Sequence, residues 1–367
     1  MTRLHDPNYR GFASDNYAGA HPEILAAVAE ANGGHQIAYG EDDYTAKLQD
    51  VMRKHFGAAT ETFPVFNGTG ANVTALTSML PRWGAVIAAK TAHVHSDENG
   101  APERVSGLKL LTVDTPDGKL TPDLIDEEAW GWGDEHRAQP LVVSVSNTTE
   151  LGTLYSVDDI RAIADHVHSK GMRLHLDGAR ISNAAAALGV PLREFTTDAG
   201  VDIVSFGGTK NGLLFGEAIV VLDPTACDGL LFLRKLNMQL ASKMRFVSAQ
   251  LIALLTDDLY LRSAVHANAM AARLRSALEE RHLPGLEFTQ ATQANAVFAV
   301  LPLGVAEELR ERFRFYDWNP ATREVRWMTA FDTTEQDVDD FVGAITATLN
   351  ARRADPPAGP ATASSSE

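Results

Sequence analysis

Cysteine is almost missing: Cys227 is the only one in 367 residues, so the chain can form no internal disulfide, which suits a reducing compartment. No run approaches the roughly 18 apolar residues that a membrane-spanning helix needs. The opening residues, MTRLHDPNYRGFASDN, hold no apolar stretch of the signal-peptide kind. Basic residues are in deficit, with 32 Lys and Arg against 48 Asp and Glu and a formal charge of −16, which argues against a nucleic-acid partner. No internal repeat is visible. Together these absences leave a cytoplasmic soluble protein, with neither nucleic acid nor membrane as partner, as the expectation.

The length is enough for two domains. Strands expected at 62–66, 86–89, 108–113, 141–146, 172–176 and 201–206 alternate with helices, the pattern of a mostly parallel sheet with right-handed crossovers. Residues 216–222 return after a tight turn and should add antiparallel to it. From 228 the texture changes to long helices, expected at 228–255 and 257–281, followed by short strands at 286–289, 296–301 and 324–329. Four segments are expected: an irregular arm (1–15), a large α/β domain (16–235), a smaller α+β domain (236–353) and a disordered tail (354–367).

The stretch from 172 to 222 organises the rest. Asp177 closes one apolar strand, and Lys210 follows another across Gly207-Gly208-Thr209. In an open α/β sheet, ligands bind beyond the carboxyl ends of the strands. A single Asp–Lys pair is ordinarily a surface salt bridge. The glycines at 207, 208 and 212 favour a ligand, because they remove Cβ atoms that would hold a flat ring off the backbone.

Other motifs fit that reading. Asn67-Gly68-Thr69-Gly70 lies between a strand and a helix, where free backbone N–H groups face an anion. It lacks the Lys-Ser/Thr of a P-loop and the Gly-x-Gly-x-x-Gly spacing, so a monophosphate suits it better than a triphosphate. A capped tight turn is the plainer alternative. His93-x-His95-x-Asp97-Glu98 could ligate zinc, with His175 or Asp177 adding a ligand, or His93 could lie flat on an aromatic cofactor. In Asp177-Gly178-Ala179-Arg180, the acid could hold a proton on a ring nitrogen while Arg180 binds a carboxylate; Arg326 is a second candidate clamp.

The stretches FASDNYAGAHPE, AYGEDDYTAKLQ, FNGTGAN, TAHVHSDENGAPE, LHLDGARISNA, SFGGTKNG and LASKMR, in this order and spacing, resemble the low-specificity L-threonine aldolases and their phenylserine-aldolase-like branch. The resemblance covers roughly residues 12–350. It implies the aspartate-aminotransferase-like fold (PLP fold type I, α/β), pyridoxal 5′-phosphate (PLP) as cofactor and a small amino acid as substrate. The reaction implied is retro-aldol cleavage of threonine, allo-threonine or an aryl-serine to glycine and an aldehyde. It also implies a homodimer or homotetramer with sites at the subunit interface. By the same likeness Lys210 carries the cofactor, Asp177 pairs with its ring nitrogen, His93 stacks on the ring, and Gly68 and Thr69 hold the phosphate. Thr209 and Arg180 are further cofactor contacts, and Arg245 reaches the phosphate of a neighbouring subunit. Ser14, Arg180 and Arg326 match positions that bind the substrate carboxylate, and Tyr39 matches an aromatic supplied across the interface.

One departure stands out. Where the family's best-known members carry a histidine near the substrate hydroxyl, this chain has Thr149. The expected base is then His93, His95 or a bound water. Alternatives to the aldolase reading are an aminotransferase or a β-eliminating lyase of the same fold, a zinc hydrolase built on His93, His95 and Asp97, and a PLP-binding protein without turnover.

Overall fold

The computed structural model describes residues 3–354. Seven strands form the main sheet: β1 Glu61–Val65, β2 Gly84–Ala89, β3 Lys109–Val113, β4 Gln139–Ser146, β5 Arg173–Gly178, β6 Ile203–Gly207 and β7 Glu217–Val221. Their order is β1-β7-β6-β5-β4-β2-β3; β7 runs antiparallel to both its neighbours, and the other pairs are parallel. Strands β2 and β6 are buried at every position, which is why GAVIAA and IVSFG are nearly unbroken apolar runs. Apolar side chains pack on both faces of this sheet, with Ile87, Val143, Leu174 and Val204 on one and Val86, Val142, Ile203 and Ile219 on the other.

A second, antiparallel sheet contains β8 Glu287–Phe288, β9 Ala296–Val300, β10 Tyr316–Asn319 and β11 Glu324–Met328, in the order β10-β11-β9-β8. Strand β10 was not anticipated, since its sequence YDWN is mostly polar and it pairs only at an edge. Trp327 and Phe341 are fully buried beneath this sheet.

One expectation needs correction. The helix expected over 228–255 is two helices, Leu230–Leu236 and Arg245–Leu255. Met238 takes a left-handed φ of 61° between them, and Asn237 donates from its side chain to Thr74 at 3.0 Å, ending the first helix. The opening arm is irregular over 3–14, as expected, yet it is anchored: Phe12 is fully buried and stacks on Phe341 with ring centroids 4.3 Å apart. Beyond residue 354, the tail expected over 354–367 lies outside the described residues.

Helix Arg245–Leu255 packs with Pro22–Glu30 and Asp43–Phe56 on the main sheet. Helix Leu259–Glu279 joins both layers, with Leu259 and Tyr260 in the first core and Met270, Ala271, Leu274 and Leu278 in the second. We infer that the division between domains falls within this helix rather than at 235/236, and that 11–15 belong with the second unit.

Candidate active site

Asp177 stands near the carboxyl end of β5. Its Oδ1 accepts from the Ala179 N–H at 3.0 Å and its Oδ2 from Asn72 Nδ2 at 2.8 Å. The same Asn72 amide donates to Glu98 Oε1 at 2.9 Å, and that oxygen lies 2.9 Å from His93 Nδ1. A connected polar chain therefore runs Asp177–Asn72–Glu98–His93. The hydrogen bond that the imidazole donates to Glu98 raises its pKa, against the opposing effect of burial.

Two residues back on β5, His175 is fully buried between Ser144 on β4 (2.9 Å to Nδ1) and Ser205 on β6 (3.0 Å to Nε2). Burial pushes its pKa from 6.5 down to about 4. Between these values the unfolded chain binds a proton that the folded chain refuses. Its contribution to stability is therefore complete above pH 6.5 and is lost as pH falls toward 4, at about 1.4 kcal/mol per pH unit. Urea unfolding at pH 7.5 and pH 5 should show a smaller acid-side loss in His175→Gln than in the parent; equal losses would refute the assignment.

Lys210 sits in a one-turn 3-10 segment, Thr209–Asn211, at the end of β6. Asn211 anchors the turn by donating to the Tyr260 carbonyl at 2.9 Å, and Glu217 accepts from the Gly208 N–H at 2.6 Å. Burial lowers the lysine's pKa, helped by the charge of Arg180. A neutral amine is the form that attacks a carbonyl carbon. The Thr209 hydroxyl accepts from the Gly216 N–H at 3.2 Å, closing the hairpin.

The glycines around Lys210 have a different reason from the one expected. A Cβ at Gly207 would sit 2.5 Å from the Ala179 carbonyl oxygen, and one at Gly212 would sit 2.2 Å from the His21 ring. The chain's own packing forbids those Cβ atoms, whether or not a ring lies nearby.

At the opposite wall, helix Gly68–Met79 begins at the N-cap Asn67, whose side chain accepts from the Gly70 N–H at 2.7 Å. The N–H groups of Gly68 and Thr69 belong to the helix's first turn and have no helical acceptor. No atom lies within 4 Å of where a Gly68 Cβ would be. One cavity is lined by Gly68, Asn72, His93, Ser146, Thr148, Glu150, Asp177, Ala179, Arg180 and Lys210. An anion-ready helix start, the amine of a half-buried lysine and an acid in one cavity fit pyridoxal phosphate: phosphate, aldehyde and ring nitrogen each have a matching group.

Arg180 does not present a free fork. Its Nε and Nη2 donate to Asp15 at 2.7 and 2.9 Å, and Asp15 also accepts from Asn295 at 3.1 Å. Ser14 caps the turn that carries this acid. Arg326, on β11, differs: its Nε is buried without a partner, and its guanidinium lies 5.0 Å over the Trp318 ring. Burial, then the charge of Arg180, pushes its pKa down to about 10.

Tyr39 and Arg245 are not in this cavity. Tyr39 is exposed with φ 63° beneath the Lys235 ammonium (4.8 Å), and Arg245 Nη1 donates to the Gly34 carbonyl at 3.4 Å. Thr149 is turned away as well, its hydroxyl 2.6 Å from that of Thr153. Among the described residues no three His, Cys, Asp or Glu side chains are grouped to hold a metal ion. His95 is exposed, and Nδ1 of His93 is engaged by Glu98.

Asn72, Asp15 and Glu150 escaped the sequence reading of the site, and Glu98 entered it only within the candidate zinc motif. Glu150 Oε1 accepts from the His93 N–H at 2.9 Å and from Ser146 Oγ at 2.8 Å, and burial together with the charge of Asp177 raises its pKa. Its one signal in sequence was its place in Asn147-Thr148-Thr149-Glu150, directly after a strand.

A mostly parallel sheet with lysine and acid at adjacent strand ends defines the class, a PLP-dependent enzyme of fold type I. The chain belongs to the beta-eliminating lyase family, whose model matches residues 11–301. It is 43% identical over 342 residues to a low specificity L-threonine aldolase of Pseudomonas sp. strain NCIMB 10558, covering 93% of this chain and 98% of the relative. A second low specificity L-threonine aldolase, from Pseudomonas aeruginosa, is 42% identical over the same shares of the two chains. A solved threonine aldolase of Leishmania major superposes with a TM-score of 0.87 at 30% identity, covering 92% of this chain and 99% of that one. Pyridoxal 5′-phosphate is the cofactor of this family.

Proposed function

We propose that this protein cleaves L-threonine, L-allo-threonine or related β-hydroxy-α-amino acids such as phenylserine to glycine and an aldehyde. The observation that carries the reading is the shared cavity of Lys210, Asp177 and Arg180, in a chain whose relatives are named for that substrate. Bound pyridoxal phosphate supplies an electron sink for the pair released when the Cα–Cβ bond breaks. Lys210 supplies the amine that tethers it. Asp177 holds the proton on the ring nitrogen, His93 covers the ring face, and the Gly68 and Thr69 N–H groups hold the phosphate. Arg326, with Ser14 and the remaining Nη1 of Arg180, fixes the substrate carboxylate and so sets which bond at Cα is cleaved.

Mixing purified holoenzyme with L-threonine and with L-phenylserine, then assaying glycine and the matching aldehyde, tests the proposal. Pyruvate and ammonia in their place would indicate β-elimination. A keto acid with the cofactor left in its amine form would indicate transamination.

Arg326→Leu separates binding from folding. Removing a half-buried cation that has no carboxylate partner should leave thermal stability unchanged or higher. Losing its carboxylate contact should raise KM by about 10- to 100-fold. A variant that lost stability without a change in KM would remove Arg326 from the substrate site.

We further propose a cytoplasmic homodimer or homotetramer. Phe232, Leu236 and Met238 are exposed beside Lys235, which lies over Tyr39. A partner covering this face would bring Tyr39 and Arg245 toward its own site. Light scattering across a concentration series would decide it, with a monomer at every concentration ruling this out.

A further inference from the structure

We propose that Glu150 is the catalytic residue that takes the β-hydroxyl proton during cleavage. The inference rests on the aldolase reading above and deepens it. A proton acceptor for that hydroxyl must face the cavity and keep a lone pair unused.

The neighbouring groups fail one condition or the other. Thr149 bonds to Thr153, and His95 is exposed outside the cavity. His93 Nδ1 is held by Glu98, and on the aldolase reading its ring lies against the face of the cofactor, away from the substrate hydroxyl. Asp177 accepts from the Ala179 N–H and from Asn72, and on the aldolase reading its remaining acceptor capacity is committed to the ring nitrogen of the cofactor.

Glu150 meets both conditions. It lines the cavity with Lys210, His93 and Thr148, and Oε1 alone receives the hydrogen bonds from the His93 N–H and Ser146 Oγ. Those two bonds fix the carboxylate plane, while Oε2 accepts from no other residue among those described. Among those residues no Arg, Lys or His side chain forms a salt bridge with it, in contrast to Asp15. Glu150 is half-buried, near the Arg180 charge but not paired with it, and holding the His93 turn alone would not require a charge. Its raised proton affinity brings it nearer the range useful for proton transfer near neutral pH.

The step balances. Oε2 takes the hydroxyl proton while the O–H electron pair forms the carbonyl of the departing aldehyde. The Cα–Cβ pair passes to Cα and is delocalised. Glu150 then releases its proton to solvent, and Cα takes up one proton to give glycine.

The test compares parent, Glu150→Gln and Glu150→Asp holoenzymes in two assays. One is aldehyde release from L-threonine and L-phenylserine. The other is exchange of the glycine α-proton in D2O followed by NMR, which uses the same cofactor and carboxylate clamp but no β-hydroxyl. Glu150→Gln should lose about 10²- to 10⁴-fold in cleavage while keeping glycine exchange and cofactor absorbance, and Glu150→Asp should recover part of the loss. Cleavage by Glu150→Gln at the parent rate would overturn the assignment. So would glycine exchange falling in step with cleavage, which would make Glu150 a positioning residue for His93. A parent enzyme that exchanges glycine but releases no aldehyde from either substrate would overturn the aldolase reading and this step with it.

Discussion

Lys210→Ala is expected to lose the visible absorbance of covalently held cofactor and to lower aldehyde formation by about 10³-fold or more. The size of the effect follows from position. The lysine stands half-buried at the end of β6, and desolvation, then the charge of Arg180, lowers its pKa in the direction of the neutral, nucleophilic amine. Alanine cannot tether the aldehyde, and no other lysine lines the cavity. The turn should survive, because Asn211 and Glu217 hold it independently of the lysine side chain. Lys210→Arg is the sharper control: it keeps a cation but has no amine that can become neutral, so it should fail equally. Threonine cleavage by Lys210→Ala at the parent rate would refute the whole site.

Asp177→Asn should retain bound cofactor yet slow turnover by about 10²- to 10³-fold. The carboxylate accepts two hydrogen bonds, from the Ala179 N–H and from Asn72 Nδ2. An asparagine has only one acceptor oxygen, so its NH2 must confront one of those donors. On the proposed reading the mutation also removes the negative charge that would keep a proton on the cofactor's ring nitrogen, where that proton would help hold the electron pair from Cα. Pre-steady-state absorbance and kcat, compared with the parent under saturating cofactor, would measure the loss. Unchanged turnover would mean that the acid serves the polar chain to His93 and not the ring.

The legible part of this protein is the part written locally. Runs such as GAVIAA and IVSFG announce strands buried on both faces, and a charge set directly after such a run, as at Asp177 and Lys210, is conspicuous. What stayed hidden depends on meetings across the chain. Asn72 reaches Asp177 across 105 positions, and Asp15 occupies the fork of Arg180 from 165 positions away. No periodicity encodes either contact. The break at 237–244 was equally silent, because neither glycine nor proline marks it and the left-handed residue is Met238. Glu150 illustrates the remaining difficulty: a departure from a familiar motif at Thr149 drew the eye, while the chemistry lay in its neighbour.

Phe12 imposes a schedule on the growing polypeptide. Its carbonyl accepts from the Met328 N–H at 2.8 Å, and its ring meets Phe341 near the far end of the chain. During synthesis at about 5–20 residues per second, the opening segment must wait tens of seconds on the ribosome for those partners to emerge. Asp15 waits with it for Asn295, whereas Asp177 and Lys210 are translated earlier.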